Sequence, residues 1–218
     1  MKQMKQYILF DLDGTIIDPK IGITSSVAYA LNKFDIHVEN LDNLCKFIGP
    51  PLKDSFIEYY NFSDEAAEKA ILYYRERFQE KGIYENFLYE NFEDMLISLK
   101  KQGKTLLIAT SKPAVFAERI LEHFNLRQYF DFVGGSNLDG TRANKAEVIF
   151  HVLKENSISD LSTAIMVGDR KHDIIGAKKA GLQSVGVLYG YGNYQELETS
   201  GADYIVKDVE ELSTLLCS

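Results

Sequence analysis

From about residue 92 to the end of the chain, short apolar runs alternate with amphipathic stretches, and this rhythm limits the possible folds more than any other feature. Runs at 106–109, 132–133, 164–167, 184–188 and 204–206 have the length and residue types of buried strands. Between them, 92–101, 114–124, 145–155, 174–180 and 209–216 carry apolar residues at the three- and four-residue intervals of helices. Gly103 follows the first helix as its stop. Strands that alternate with helices at this spacing predict a parallel sheet covered on both faces. A further run near the start, Tyr7-Ile-Leu-Phe10, adds one more buried strand.

Residues 18–84 break the rhythm. Stretches 55–60 and 66–78 are helical in spacing, with Glu, Lys and Arg interleaved, and Ser63 or Asp64 is placed to cap the second. A helical segment directly after the first strand reads as an insertion. The expected architecture is a doubly wound parallel-sheet α/β core, residues 1–17 and 85–218, carrying an α-helical cap at 18–84. Aromatic residues crowd the cap: Phe56, Tyr59, Tyr60, Phe62, Tyr73, Tyr74 and Phe78. At helical spacing they are core; a nucleobase platform is the sharper alternative.

Composition narrows the partners. With 24 Lys and Arg against 32 Asp and Glu the net charge is −8, which disfavours nucleic acid and anionic membrane surfaces. A small anion can still bind where local cations and a metal reverse the field. No apolar run approaches the roughly 18 residues needed to cross a bilayer, and the first run stops at Asp11, too soon for a signal peptide. A cytoplasmic protein, monomer or homodimer, is expected. Cys45 and Cys217 are too few and too scattered for a disulfide framework or a zinc site.

In open α/β sheets, ligands bind at the carboxyl ends of the strands. Asp11, Asp13, Gly14 and Thr15 follow the first strand; Thr110, Ser111 and Lys112 follow 106–109; Gly168, Asp169, Arg170 and Asp173 follow 164–167. Four carboxylates at one edge repel unless a cation sits among them, and oxygen ligands suit Mg²⁺. Asp11 and Asp13, two apart, can face one substrate, so that one attacks while the other handles the proton at the leaving oxygen. An EF-hand reading fails because Gly14 falls at the fourth position instead of the sixth. Asp139-Gly140-Thr141 repeats the Asp-Gly-Thr tripeptide without the earlier Asp or the apolar run, and reads as a turn.

The apolar run ending in Asp11-x-Asp13-Gly14-Thr15 resembles the signature of the haloacid-dehalogenase-like hydrolases, in their phosphatase branch. Thr110, Lys145 at a helix start, and Gly168-Asp169 with Asp173 four residues on, match the family's other motifs in order. The resemblance spans residues 7–190 and is similar to phosphoglycolate phosphatases, whose helical cap follows the first motif.

What the resemblance implies is a Mg²⁺-dependent phosphatase acting on a small phosphorylated metabolite. Asp11 is the nucleophile that becomes an aspartyl-phosphate, and Asp13 the general acid and base. Asp11, the Asp13 carbonyl and Asp169 hold the metal, with Asp173 as a direct or water-mediated ligand. Thr110, Lys145 and the backbone N–H groups at Leu12 and Ser111 bind the phosphoryl group. The family's lysine motif often reads Gly-Lys-Pro, whereas Asn144 precedes Lys145 and Ala146 follows it, so Lys112 is an alternative cation. In the cap, Gly49-Pro50-Pro51-Leu52-Lys53 offers Lys53 for a second anionic group. Alternatives are a 5′-nucleotidase, a phosphomutase and, outside enzymes, a phospho-aspartate switch. Gly190-Tyr191-Gly192 reads as a flexible loop, with closure over the site as the lesser alternative.

Overall fold

The computed structural model describes residues 5–217. In chain order the strands are β1 (Tyr7–Phe10), β2 (Ile17–Asp18), β3 (Phe87–Leu88), β4 (Thr105–Pro113), β5 (Phe132–Ser136), β6 (Ala164–Gly168), β7 (Gln183–Val187) and β8 (Tyr204–Val206). The helices are α1 (Lys20–Asn32), α2 (Leu52–Tyr60), α3 (Asp64–Glu80), α4 (Phe92–Lys101), α5 (Ala114–His123), α6 (Lys145–Glu155), α7 (Lys171–Lys179), α8 (Tyr194–Ser200) and α9 (Val209–Cys217).

Six strands form one sheet in the order β5-β4-β1-β6-β7-β8, and their pairings are parallel. Ile8, Leu9 and Phe10 are fully buried, as a run apolar at every position requires in a sheet covered on both faces. Leu9 packs with Val148, Ile149 and Ala177 from α6 and α7. Phe10 turns the other way, its ring 5.6 Å from that of Phe92 in α4. Neighbouring strands β1 and β6 send the chain on in opposite directions, to β4 and to β7. A crevice opens between the carboxyl ends of such a pair, where α/β sheets bind ligands.

Two boundaries differ from the sequence reading. Strand β4 runs to Pro113 instead of stopping at 109, but its register with β5 shifts between Ala109 and Pro113. Thr110, Ser111 and Lys112 therefore lie within an irregular strand end. Helix α7 starts at Lys171, ahead of 174, because the Asp173 carboxylate accepts the Arg170 N–H at 3.0 Å and satisfies an otherwise orphaned donor. Arginine is not a residue that announces a helix start, so this boundary was hidden.

The chain divides into two compact units, one up to Asp18 and from Leu88 onward, the other Pro19–Phe87. The second unit is helical. Ser63 caps α3 by accepting the Ala66 N–H at 3.2 Å. Its aromatic residues do the packing: Phe47, Phe56, Tyr74 and Phe78 are buried, and Phe56 stacks on Phe62 with centroids 5.7 Å apart. Arg77 grips Glu85 through two nitrogens, at 2.8 and 3.0 Å. Among the described residues, no helix is long and apolar enough to cross a membrane.

Candidate active site

The site starts where β1 ends. The Asp11 N–H still donates to Val167 of β6 at 2.9 Å, so its backbone is fixed by the sheet. Leu12 points into the core, which leaves Asp11 and Asp13 together on the other side. The chain then folds back sharply, with the Gly14 N–H donating to the Ile17 carbonyl at 2.8 Å. Gly14 has φ +81°, and a Cβ there would lie 2.6 Å from Asp169 Cγ. Only glycine meets both demands, so the turn and the neighbouring carboxylate specify it together.

Four buried aspartates collect here: Asp11, Asp13, Asp169 and Asp173, none more than 7% exposed. Two lysines answer them. Lys145 Nζ lies 2.8 Å from Asp11, 2.8 Å from Asp173 and 3.0 Å from the Ala109 carbonyl, which uses all three of its protons. Lys112 Nζ lies 2.9 Å from Asp13. The sequence reading offered these lysines as alternatives; the structure employs both, one on each carboxylate of the Asp-x-Asp pair. The Leu12 N–H donates to Asp11 Oδ1 at 2.7 Å and holds that side chain further. Thr110 is buried, its hydroxyl accepting the Lys112 N–H at 3.2 Å.

The electrostatics show what the site lacks. Burial pushes Asp169 well above the usual carboxylate range, and the charges of Asp173 and Asp11 push it further. Burial likewise raises Asp173, to about 6, against the pull of Lys145. Asp13 is raised by burial despite Lys112. Burial alone would lower the Lys145 ammonium, but Asp11 and Asp173 outweigh it and hold its pKa above the usual lysine value. Four ionised carboxylates would outnumber the two ammonium groups in a buried space, a repulsion that protonation or a bound cation relieves.

Ligand oxygens of Asp11, Asp169 and Asp173 all lie within 4.8 Å of one another. A buried cluster of carboxylate oxygens that repel one another when ionised fits a hard divalent cation. The Asp13 carboxylate is outside that group, facing Lys112.

The remaining candidates are distributed as follows. Ser111 sits half-buried between Thr110 and Lys112 on the β4 end. Lys53 belongs to the helical unit, where it is ion-paired with Glu68 at 2.8 Å and Asp64 at 3.7 Å, on exposed side chains. Its charge is thus already shared with two carboxylates, which weakens the reading of Lys53 as an anion-binding residue. One segment is held in place where a flexible loop was the first of two expectations. Gly190-Tyr191-Gly192 is packed against the site: the Tyr191 N–H donates to Asp169 Oδ2 at 2.8 Å, and a Cβ on Gly190 would stand 2.6 Å from the same oxygen. The two glycines flanking a tyrosine were the available signal, since glycine also marks a close backbone approach.

An α/β sheet whose β1 ends in Asp-x-Asp, with a buried lysine and two further aspartates across a switch point, defines a class of protein with a carboxylate-lined site at the sheet edge. The chain belongs to the haloacid dehalogenase-like hydrolases, whose family model matches residues 8–187. It is 42% identical to a 5′-nucleotidase of Pseudomonas aeruginosa over 96% of this chain and 94% of that one. It is 37% identical to a protein of Mycobacterium tuberculosis named tyrosine-protein kinase PtkA, over 86% of this chain and 63% of that one. Among solved structures, a predicted phosphatase from Clostridium acetobutylicum superposes with a TM-score of 0.96 at 53% identity, covering 98% of this chain and 99% of that one. The chain is an enzyme of the phosphatase type.

Proposed function

We propose that this chain is a Mg²⁺-dependent phosphomonoesterase that hydrolyses a small phosphorylated metabolite through an aspartyl-phosphate on Asp11. The observation that carries the reading is the buried Asp11, held 2.8 Å from Lys145 beside the two further carboxylates of Asp169 and Asp173. Lys145 and the Leu12 N–H both engage Oδ1, so we assign the attack to Oδ2. That oxygen forms a bond to phosphorus in line with the ester oxygen, whose bond to phosphorus breaks. Asp13 gives its proton to the departing alkoxide. It then takes a proton from a water that attacks phosphorus, which frees inorganic phosphate and restores Asp11.

Thr110, with the N–H groups at Leu12 and Ser111, orients the phosphoryl oxygens, and Lys145 offsets charge as a carboxylate approaches a dianion. Asp11, the Asp13 carbonyl, Asp169 and Asp173 would hold the metal, which when bound supplies further neutralisation of the phosphoryl charge. The helical unit acts as a cap that selects the substrate, with Lys53 available to a second anionic group once it leaves Glu68. A cytoplasmic setting and a monomer or homodimer suit this role.

Phosphoglycolate is the substrate that the family resemblance suggests. A nucleoside 5′-monophosphate is the second reading, favoured by the 42% identity to a 5′-nucleotidase across nearly the whole of both chains. The test is phosphate release with Mg²⁺ from a panel holding phosphoglycolate, sugar phosphates and nucleoside 5′-monophosphates, with Asp11→Asn as control. Turnover of one class at least tenfold above the others supports the reading and chooses the substrate. No release from any member overturns it, and phosphoryl transfer to an isomer or a tyrosine would instead reveal a mutase or a kinase.

A further inference from the structure

We propose that Tyr191 is a positioning residue that ties Asp169 to the point where the chain leaves the core unit, so that metal binding and the order of that crossing are linked. The inference rests on the metal reading of Asp169 given above.

Tyr191 reaches two carboxylates at once. Its backbone N–H donates to Asp169 Oδ2 at 2.8 Å, and its hydroxyl donates to the Asp18 carboxylate. Asp18 ends β2 and is the last residue of the core unit before the insertion begins at Pro19. The tyrosine is therefore a rigid spacer between a metal carboxylate and the outgoing strand.

The same short segment also holds the returning strand. The Tyr189 hydroxyl donates to the Thr15 carbonyl at 3.0 Å, and its ring packs edge-on against Tyr89 with centroids 4.8 Å apart. Tyr89 follows β3, and its N–H donates to the Ile16 carbonyl at 3.2 Å. Residues 189–191 thus grip Thr15, Asp18 and Tyr89, while their backbone lies flush on Asp169 because Gly190 carries no Cβ.

Neighbours that orient a metal ligand typically change metal affinity by roughly 10- to 100-fold when altered. A contact that favours the metal-competent Asp169 must, by linkage, be favoured in turn by the metal. Mg²⁺ should then tighten the crossing, and loss of the Tyr191 hydroxyl should weaken Mg²⁺ binding without touching the N–H that faces Asp169.

The experiment uses the full chain with Mg²⁺ alone. Calorimetric titration gives the affinity, and hydrogen exchange follows the amides of residues 16–18 and 89 with and without the ion. Wild type should bind Mg²⁺ and gain protection at those amides. Tyr191→Phe should bind roughly tenfold more weakly and gain no protection, whereas Tyr194→Phe, whose hydroxyl meets Glu198 on the surface, should behave as wild type. If Tyr191→Phe does not fold, Asp18→Asn removes the charge at the other end of the contact and is read the same way. Wild-type affinity and protection in the variant overturn the proposal, as does a wild type that binds no Mg²⁺ or gains no protection from it. A wild type that binds Mg²⁺ and shows the coupling, yet releases phosphate from no substrate, overturns the phosphatase reading alone.

Discussion

The Lys145 ammonium stands 2.8 Å from Asp11 on one side and bonds Asp173 on the other, so one buried cation joins the nucleophile candidate to the start of α7. It is the point at which folding and chemistry depend on the same charge.

Lys145→Met keeps the length of the side chain but strands two carboxylates. Breaking a buried pair in this way costs about 3–5 kcal/mol, more than the apolar packing restores. Urea unfolding of the metal-free protein should show that loss, and saturating Mg²⁺ should recover part of it because the ion binds the folded state alone. Metal-free stability within about 0.5 kcal/mol of wild type would contradict the role given to Lys145.

Asp11→Asn preserves volume and hydrogen bonding while removing the nucleophile. Phosphate release should fall by roughly 10³-fold or more, with the circular dichroism spectrum unchanged. Activity within tenfold of wild type would remove Asp11 from the mechanism.

Asp173 provides a pH signature in the metal-free protein. Burial raises its folded pKa to about 6, whereas an unfolded aspartate titrates near 4. Between those values the folded state holds more protons than the unfolded one, so this group makes stability fall as pH rises from about 4 to about 6. Asp173→Asn should lack that component, and the difference in slope between the two proteins isolates it. Parallel stability curves would refute the shift.

Gly14 and Gly140 form a matched pair. Both have positive φ, +81° and +86°, but a Cβ on Gly140 meets nothing within 4 Å, whereas one on Gly14 meets Asp169. Gly140→Ala should cost only backbone strain, about 1 kcal/mol. Gly14→Ala should cost about 2–4 kcal/mol and also raise the Mg²⁺ needed for half-maximal activity. Equal effects on stability and on Mg²⁺ dependence would show that the Asp169 contact is immaterial.

Much of the core was legible because it is written in local pattern. Ile8, Leu9 and Phe10 are apolar at every position, and a strand of that kind is stable only when both faces are covered. Asp11 and Asp13 carry their own geometry, since residues two apart share a side at a strand end. Where local signals were weak, the reading slipped. Arg170 gave no hint that α7 begins beside it, and the strand pattern of β4 gave no reason to run through Thr110 and Lys112.

By itself, then, the sequence determined the parallel sheet, the helical insertion and the strand ends at which carboxylates, hydroxyls and lysines gather. Tertiary structure alone decided that Lys145 meets Asp11 while Lys112 meets Asp13, and that the backbone of Gly190 and Tyr191 closes on Asp169. The physical reason is range. Periodicity and turn chemistry act between residues a few positions apart, whereas the pairing of buried charges is settled by desolvation, once distant segments have packed and each carboxylate must find a partner in a space that water has left.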